Sequence, residues 1–192
     1  MGETPKRQVR ARYDEETVTV YQAFRPEIAE PAAAAGRFPA AFDTGRTTWV
    51  KPSFRWLLHR SDWARAGGQE RVLGVVIRRE GFDAALAAAV LSSYRRGVHA
   101  SKAQWQRELR RGAARVQWDP ERDLHLRPLD HRSLQLGLGG ELVRRYVGEW
   151  LVRIEDLTPL VRELHATRDA GLLPPERPYP VAPGTAVRLG MP

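Results

Sequence analysis

The sequence predicts an α+β single domain with a central mixed β-sheet flanked by helices, and three observations carry that expectation. Residues 17–24, TVTVYQAF, alternate and are rich in β-branched side chains, as a strand requires. Residues 71–79, RVLGVVIRR, hold an apolar run that suits a central place in a sheet. Pro26 and Pro52 each follow an extended segment and suit the first turn of a helix, where a missing N–H is no loss.

The remaining elements follow in chain order. Residues 1–7 are polar and are expected to fray. The Pro26 helix runs to about Ala35, with Gly36 in the stopping position. A strand ends at about Lys51, which Pro52 biases towards extended geometry, and a helix runs from Pro52 to about Trp63. Residues 65–69 read as a loop. Residues 82–91 are apolar nearly all round, as a buried helix would be. Ser101 with Gln104 forms a capping-box signal for a helix to about Arg111. Residues 115–118 and 132–136 read as strands, Gly139 and Gly140 lead into a helix to about Val147, and residues 150–154 read as a last strand. Thr158-Pro159 opens a final helix ending near Gly171. Residues 1–171 are thus expected to form the globular domain. Residues 172–192 contain six of the fourteen prolines and little to bury, and are expected to be a mobile C-terminal tail.

Composition narrows the chemistry. The chain has 192 residues, of which 42% are hydrophobic, enough to bury a core unaided. It has no apolar run long enough for a membrane span and no hydrophobic leader at its N-terminus, so a soluble, cytoplasmic protein is expected. It has no cysteine, which excludes disulfides, thiol nucleophiles and thiolate metal sites. The net charge of +8 is unevenly placed: residues 46–79 and 95–115 each carry +6, while residues 118–165 carry −2. A localised basic surface attracts phosphates, whether of a nucleic acid or of a dinucleotide.

The stretch from Arg46 to Trp63, RTTWVKPSFRWLLHRSDW, packs three of the six tryptophans and four cationic side chains around a strand-to-helix junction. On the helix Phe54, Leu57 and Leu58 share one stripe, and Trp56, Arg60 and Trp63 share another. The second stripe, with Arg55 and Arg65 nearby, is a candidate platform on which nucleic-acid bases stack. Elsewhere, Asp119, Glu121, Asp123 and His125 alternate in DPERDLH, a pattern that can present metal ligands. QLGLGGE at 135–141 leads through glycines into a helix start, where backbone N–H groups can hold an anion. Tyr21-Gln22, Trp49 to Ser53 and Glu149-Trp150 each put a polar or aromatic group at the end of a hydrophobic strand.

Over about residues 7–165 the runs RQVRARYD, VYQAF, TWVKPSFRWLLHRSDW, RVQWDPERD and RSLQLGLGGE resemble a bacterial and fungal family known as domain of unknown function 4291, whose name implies no activity. A second, more distant resemblance is to ADP-ribosyltransferases of the diphtheria-toxin and poly-ADP-ribose-polymerase class. These place His-Gly-Thr before a helix, then a Tyr strand followed by Ser at a helix start, and later a catalytic Glu followed by aromatic and aliphatic residues. Here Tyr21-Gln22-Ala23 precedes the Pro26 helix, Trp49 and Ser53 flank the next junction, and Glu149-Trp150-Leu151-Val152 comes last. Gln22 stands for His, Ala23 for Gly and Trp49 for Tyr.

That resemblance implies an ADP-ribosyltransferase-like fold and an enzyme that uses NAD as substrate. Glu149 would stabilise the oxocarbenium-like cation formed when the nicotinamide–ribose bond breaks. Tyr21 and Trp49 would frame the nicotinamide, with Trp49 stacking on it. Gln22 and Ser53 would bond its carboxamide or the ribose hydroxyls, and Arg10, Arg46 or Lys51 would pair with the pyrophosphate. The acceptor is expected to be DNA or RNA. Two rivals remain: a non-catalytic nucleic-acid-binding module built on Trp and Arg stacking, and a metal-dependent nuclease using Asp119 to His125.

Overall fold

The computed structural model describes residues 4–192; the expected fraying of residues 1–3 lies outside them. Lys6 and Arg7 are already tied in, since Arg132 N donates to Lys6 O at 2.9 Å and Arg7 bridges to Arg132. The elements are β1 (Arg10–Tyr13), β2 (Thr17–Phe24), α1 (Pro26–Ala35), β3 (Thr48–Val50), α2 (Phe54–Arg60), β4 (Arg71–Arg78), α3 (Arg79–Ala87), β5 (Ala89–Leu91), α4 (Lys102–Arg111), β6 (Ala114–Arg122), β7 (Pro128–Leu138), α5 (Glu141–Val147), β8 (Leu151–Asp156), α6 (Thr158–Thr167), β9 (Arg177–Pro178) and α7 (Pro183–Arg188).

The chain is α+β, but its strands form two sheets rather than one. An antiparallel sheet has the order β8-β4-β2-β1-β9, and a mixed sheet has the order β3-β7-β6-β5, with β5 and β6 parallel. The sheets meet where β2 ends and β3 runs into Lys51. There Tyr21 N donates to Lys51 O at 2.7 Å and Lys51 N donates to Tyr21 O at 3.2 Å. Val18 and Val20 of β2 face a core shared with Val75, Ile77, Val116, Leu134 and Leu136 from both sheets and with Phe82 and Tyr146 from α3 and α5. Tyr21 faces a second core with Phe54, Leu57, Leu58, Val161 and Leu164 under α2 and α6. Strand β2 is therefore buried on both faces, which is why its alternation is only partial. Each such side chain taken out of water is worth about 1.5–3 kcal/mol.

Three expectations are corrected. Residues 82–91 are not one helix: α3 ends at Ala87, and residues 89–91 pair as a strand with residues 114–116. An apolar segment of this length satisfies a buried helix or a buried strand equally, and the neighbouring β6 edge decides. Strands β1 and β9 carry too little alternation to be read from sequence. Residues 172–192 are not a free tail: Tyr179 and Leu189 are buried, Tyr179 N donates to Val9 O at 2.8 Å and Trp118 Nε1 donates to Leu189 O at 2.9 Å. Prolines fix this segment as an extended strap rather than loosening it.

Candidate functional site

Several ionisable groups gather where α2 starts. Ser53 is the residue before α2, in extended geometry, and its hydroxyl does not cap the helix. It donates instead to Glu121 Oε2 at 2.5 Å. Glu121, near the end of β6, is 5% exposed and its Oε1 also accepts from Arg122 N at 2.9 Å. The first free N–H of α2, on Phe54, donates to Glu176 Oε1 at 2.6 Å. A cavity of about 140 Å³ opens here, lined by Arg10, Arg55, Glu121, His131, Leu173, Pro174 and Glu176. Its walls thus come from β1, α2, β6, β7 and the C-terminal strap.

Burial sets the charge state of these groups. Although Glu176 as a residue is half-buried, its carboxyl points inward, and desolvation pushes its pKa up to about 8, with the Glu121 charge acting in the same direction and the Phe54 N–H, Arg55 and Arg10 opposing it. Two neighbouring carboxyl groups, one of them desolvated, resist ionising together, so Glu176 is largely protonated at neutral pH. Burial also lowers the His131 pKa, with Arg10 and Arg55 reinforcing it against Glu121, and keeps the ring neutral. Arg10 is positioned by the Glu176 carbonyl at 3.1 Å and Gln8 Oε1 at 3.1 Å. Among the described residues Arg55 makes no ion pair, so its guanidinium is available at the cavity wall.

Beside the cavity, the face of the mixed sheet carries a polar ribbon. Trp49 lies opposite Gly137, and its ring passes so close that a β-carbon on Gly137 would sit 3.1 Å from it; only glycine leaves room. Asp119 accepts from Gln117 Nε2 at 2.9 Å and from Gln135 Nε2 at 2.6 Å. Lys51 is 7% exposed, with Nζ reaching only the Trp49 carbonyl at 3.4 Å. Desolvation lowers its pKa to about 8, Arg60 adding to the effect and Asp119 opposing it.

The residues expected to act together are only partly brought together. Ser53, Arg10 and Arg55 meet at the cavity. Tyr21 packs its ring on Phe54, 5.0 Å between centroids, but its buried hydroxyl has no partner. Gln22 is committed to the core: it donates to Thr48 Oγ1 and the Trp49 carbonyl and accepts from Tyr146 OH at 2.6 Å. Arg46 is exposed and borders a different depression, with Phe24 and Phe42. Glu149 is exposed in the turn before β8, where both its oxygens accept from Arg145 at 2.8 Å. Its neighbour Trp150 passes its carbonyl to Arg78 N, level with Thr17 in the sheet, four residues along β2 from the Tyr21–Lys51 junction. At about 3.3 Å per residue that is roughly 13 Å, and β8 lies two strands away from β2 as well. Glu149 does not reach Ser53, because the helix that precedes it is seven residues long and ends on the far edge of the sheet.

The stacking platform is corrected too. Trp56 is 7% and Trp63 3% exposed, so neither ring faces solvent: Trp63 packs in the second core and Trp56 lies against His59, 5.0 Å between centroids. Arg168 covers Trp63 at 4.1 Å, and Arg65 pairs with Asp62. Asp119, Glu121, Asp123 and His125 diverge: Asp123 closes a turn by accepting from Arg127, and among the described residues no group of three metal-ligating side chains forms. At the glycine turn the first N–H groups of α5 are already used, Leu142 N donating to Gly139 O at 3.1 Å and Val143 N to Gly140 O at 3.2 Å, and Glu141 pairs with Arg144. Glu176 and His131 escaped the sequence reading; the signal available in the strap was its large apolar residues, Tyr179 between Pro178 and Pro180 and Leu189 after Pro183.

The model of one protein family matches residues 8–179, spanning β1 to β9 and hence every wall of the cavity. The chain belongs to the family described as Domain of unknown function (DUF4291). The match ends at Tyr179, so the strap residue Glu176 falls within the DUF4291 unit. Among curated proteins no match is found. Among the described residues no helix is long and apolar enough to cross a membrane.

Proposed function

We propose that this DUF4291 chain is an NAD-consuming, ADP-ribosyltransferase-like enzyme whose reacting carboxylate is Glu121. The observation that carries the reading is the 2.5 Å Ser53–Glu121 hydrogen bond at the wall of a cavity flanked by Arg10 and Arg55. Breaking the nicotinamide–ribose bond sends the bonding electron pair out with nicotinamide and leaves a cationic ribose. A carboxylate held beside the ribose favours that cation over the neutral ground state. Ser53 holds Glu121 in place and lies within reach of a ribose hydroxyl. Arg55 and Arg10 suit a pyrophosphate, and the Trp49 ring on the adjoining sheet face suits an aromatic base. The acceptor's proton passes to Glu121 as the new bond to ribose forms. Glu121, on a strand later in the chain than Ser53, takes the role that the distant resemblance gave to Glu149. The reading fits a cytoplasmic protein, with NAD as a diffusible substrate.

The test is nicotinamide release from NAD by wild type, Glu121→Gln and Glu149→Gln, each checked for folding by circular dichroism. Glu121→Gln is expected to lower kcat by about a hundredfold or more while NAD binding by calorimetry changes little. Glu149→Gln loses only an exposed ion pair and is expected to turn over like wild type. Absence of NAD binding by wild type, or full turnover by folded Glu121→Gln, removes the enzymatic reading.

A further inference from the structure

We infer that the surface formed by α4 and the loop before it binds single-stranded nucleic acid, independently of the chemistry in the cavity. Helix α4 has no buried residue along its ten positions. A helix that contributes nothing to the core is normally held by its own charge pairs, yet this one carries four cations, Lys102, Arg107, Arg110 and Arg111, and one carboxylate. That carboxylate, Glu108, is occupied by Gln104 at 2.8 Å. Arg107, Arg110 and Arg111 stand at i, i+3, i+4 on the exposed face, a like-charge arrangement that costs an isolated helix a few tenths of a kcal/mol per pair. The helix C-terminus repays Arg110 and Arg111. It does not repay Arg107, nor Arg95 and Arg96 in the exposed loop. Among the described residues none of these six cations makes an ion pair.

An aromatic group sits at the base of this cationic helix. Trp105 is anchored by donating Nε1 to the Leu91 carbonyl at 2.8 Å. His99 and Tyr94 pack beside it, with Tyr94 stacked on His99 at 5.8 Å and 29°. Tyr94 is 38% exposed, one of the few large apolar side chains left open to solvent. A fixed, solvent-facing ring next to a row of unpaired guanidinium groups matches the chemistry of an unpaired strand, whose bases stack while its phosphates meet the arginines. A duplex hides its bases and uses only the charge. An anionic lipid surface also attracts arginines and an interfacial tyrosine, and the vesicle arm of the experiment separates it from a single strand.

The experiment measures fluorescence anisotropy of labelled single-stranded DNA and RNA, each of about 12 nucleotides, against the full chain across about 50–200 mM salt. The same DNA annealed as a duplex and vesicles containing anionic lipid serve as comparison arms. Binding of a single strand is expected to fall steeply with salt. The triple variant Arg107→Ala/Arg110→Ala/Arg111→Ala is expected to bind at least about tenfold more weakly, with a flatter salt slope. Tyr94→Ala is expected to weaken single-strand binding about tenfold and leave the salt slope unchanged, while Tyr94→Phe restores it. The DNA and RNA arms distinguish the two sources of strand. Failure of both strands to bind at low salt, equal binding by the folded triple variant, insensitivity to Tyr94→Ala, or binding only to duplex or vesicles each overturns the proposal. None of these outcomes bears on nicotinamide release, so the two readings fail separately.

Discussion

A carboxylate on the first free N–H of a helix ordinarily ionises more easily, because the amide and the helix dipole both favour its charge. Glu176 goes the other way, since its carboxyl is buried beside the Glu121 charge and desolvation outweighs the single N–H that it accepts from. The sign of the consequence follows from proton counting. Below its ordinary 4.5 the group is protonated whether the chain is folded or not, and above about 8 it is ionised in both; between the two the folded state holds a proton that the unfolded chain has released. Stability therefore falls as pH rises through that window. Glu176→Gln, which keeps an acceptor for the Phe54 N–H, is expected to remove this slope, so that thermal melts at about pH 5 and 9 differ less for the variant than for wild type. Parallel profiles for the two proteins would assign the slope to another group.

At the scale of elements, α2 is shorter than its apolar pattern implied, and the reason lies just after it. Asp62, Trp63 and Ala64 have φ of +47°, +59° and +60°. Each left-handed non-glycine residue costs roughly 1–2 kcal/mol. Ser61 supports the turn: its Oγ donates to the Leu57 carbonyl at 2.9 Å and accepts from Ala64 N at 3.2 Å. The turn drops Trp63 into the second core beside His165, 5.3 Å away, a position that a continuing helix would have denied it. Burial of so large a ring offsets the backbone cost. Ala64→Gly relieves one of the three strained positions; the strain relieved outweighs the loss of a methyl that is only partly buried against the second core, and the variant is expected to be more stable by about 0.5 kcal/mol in denaturant unfolding, with the Trp63 environment unchanged in near-ultraviolet dichroism. A fall in stability would show that the turn stores no strain at Ala64.

At the scale of the whole molecule, the C-terminal strap makes the fold and the cavity one structure. It adds β9 to the antiparallel sheet, seats Tyr179 between Phe82 and Tyr13, caps Trp118 through the Leu189 carbonyl and supplies Leu173, Pro174 and Glu176 to the cavity. A chain ending at Leu172 would lose the burial of Tyr179 and Leu189 alone at about 1.5–3 kcal/mol each. Its unfolding free energy is expected to drop by on the order of 3–6 kcal/mol, with the cavity laid open to water. A freely moving tail would leave the midpoint of unfolding where it is in the full chain.

The elements that the sequence by itself determined are those whose signals are local. Strands β2 and β4, the proline-started helices α1 and α6 and the Ser101 cap of α4, whose hydroxyl accepts from Gln104 N at 3.1 Å, rest on alternation, fixed φ and short hydrogen bonds within a few residues. Ser53 was legible as a helix-start residue for the same reason, from the Pro52 junction, whereas Arg10 was named only through the distant resemblance, since β1 itself carries too little alternation to be read. The partners of a site are not local. Glu121 meets Ser53 across 68 residues of chain, and Glu176 meets Phe54 across 122. Glu149 and the rings of Trp56 and Trp63 had the right residue types in the right order, but strand order put the first on the far edge of a sheet and core volume claimed the other two. Residue type and spacing set what a side chain is able to do; which carboxylate is desolvated, and beside what, was decided only when two sheets and a proline-rich strap closed around it.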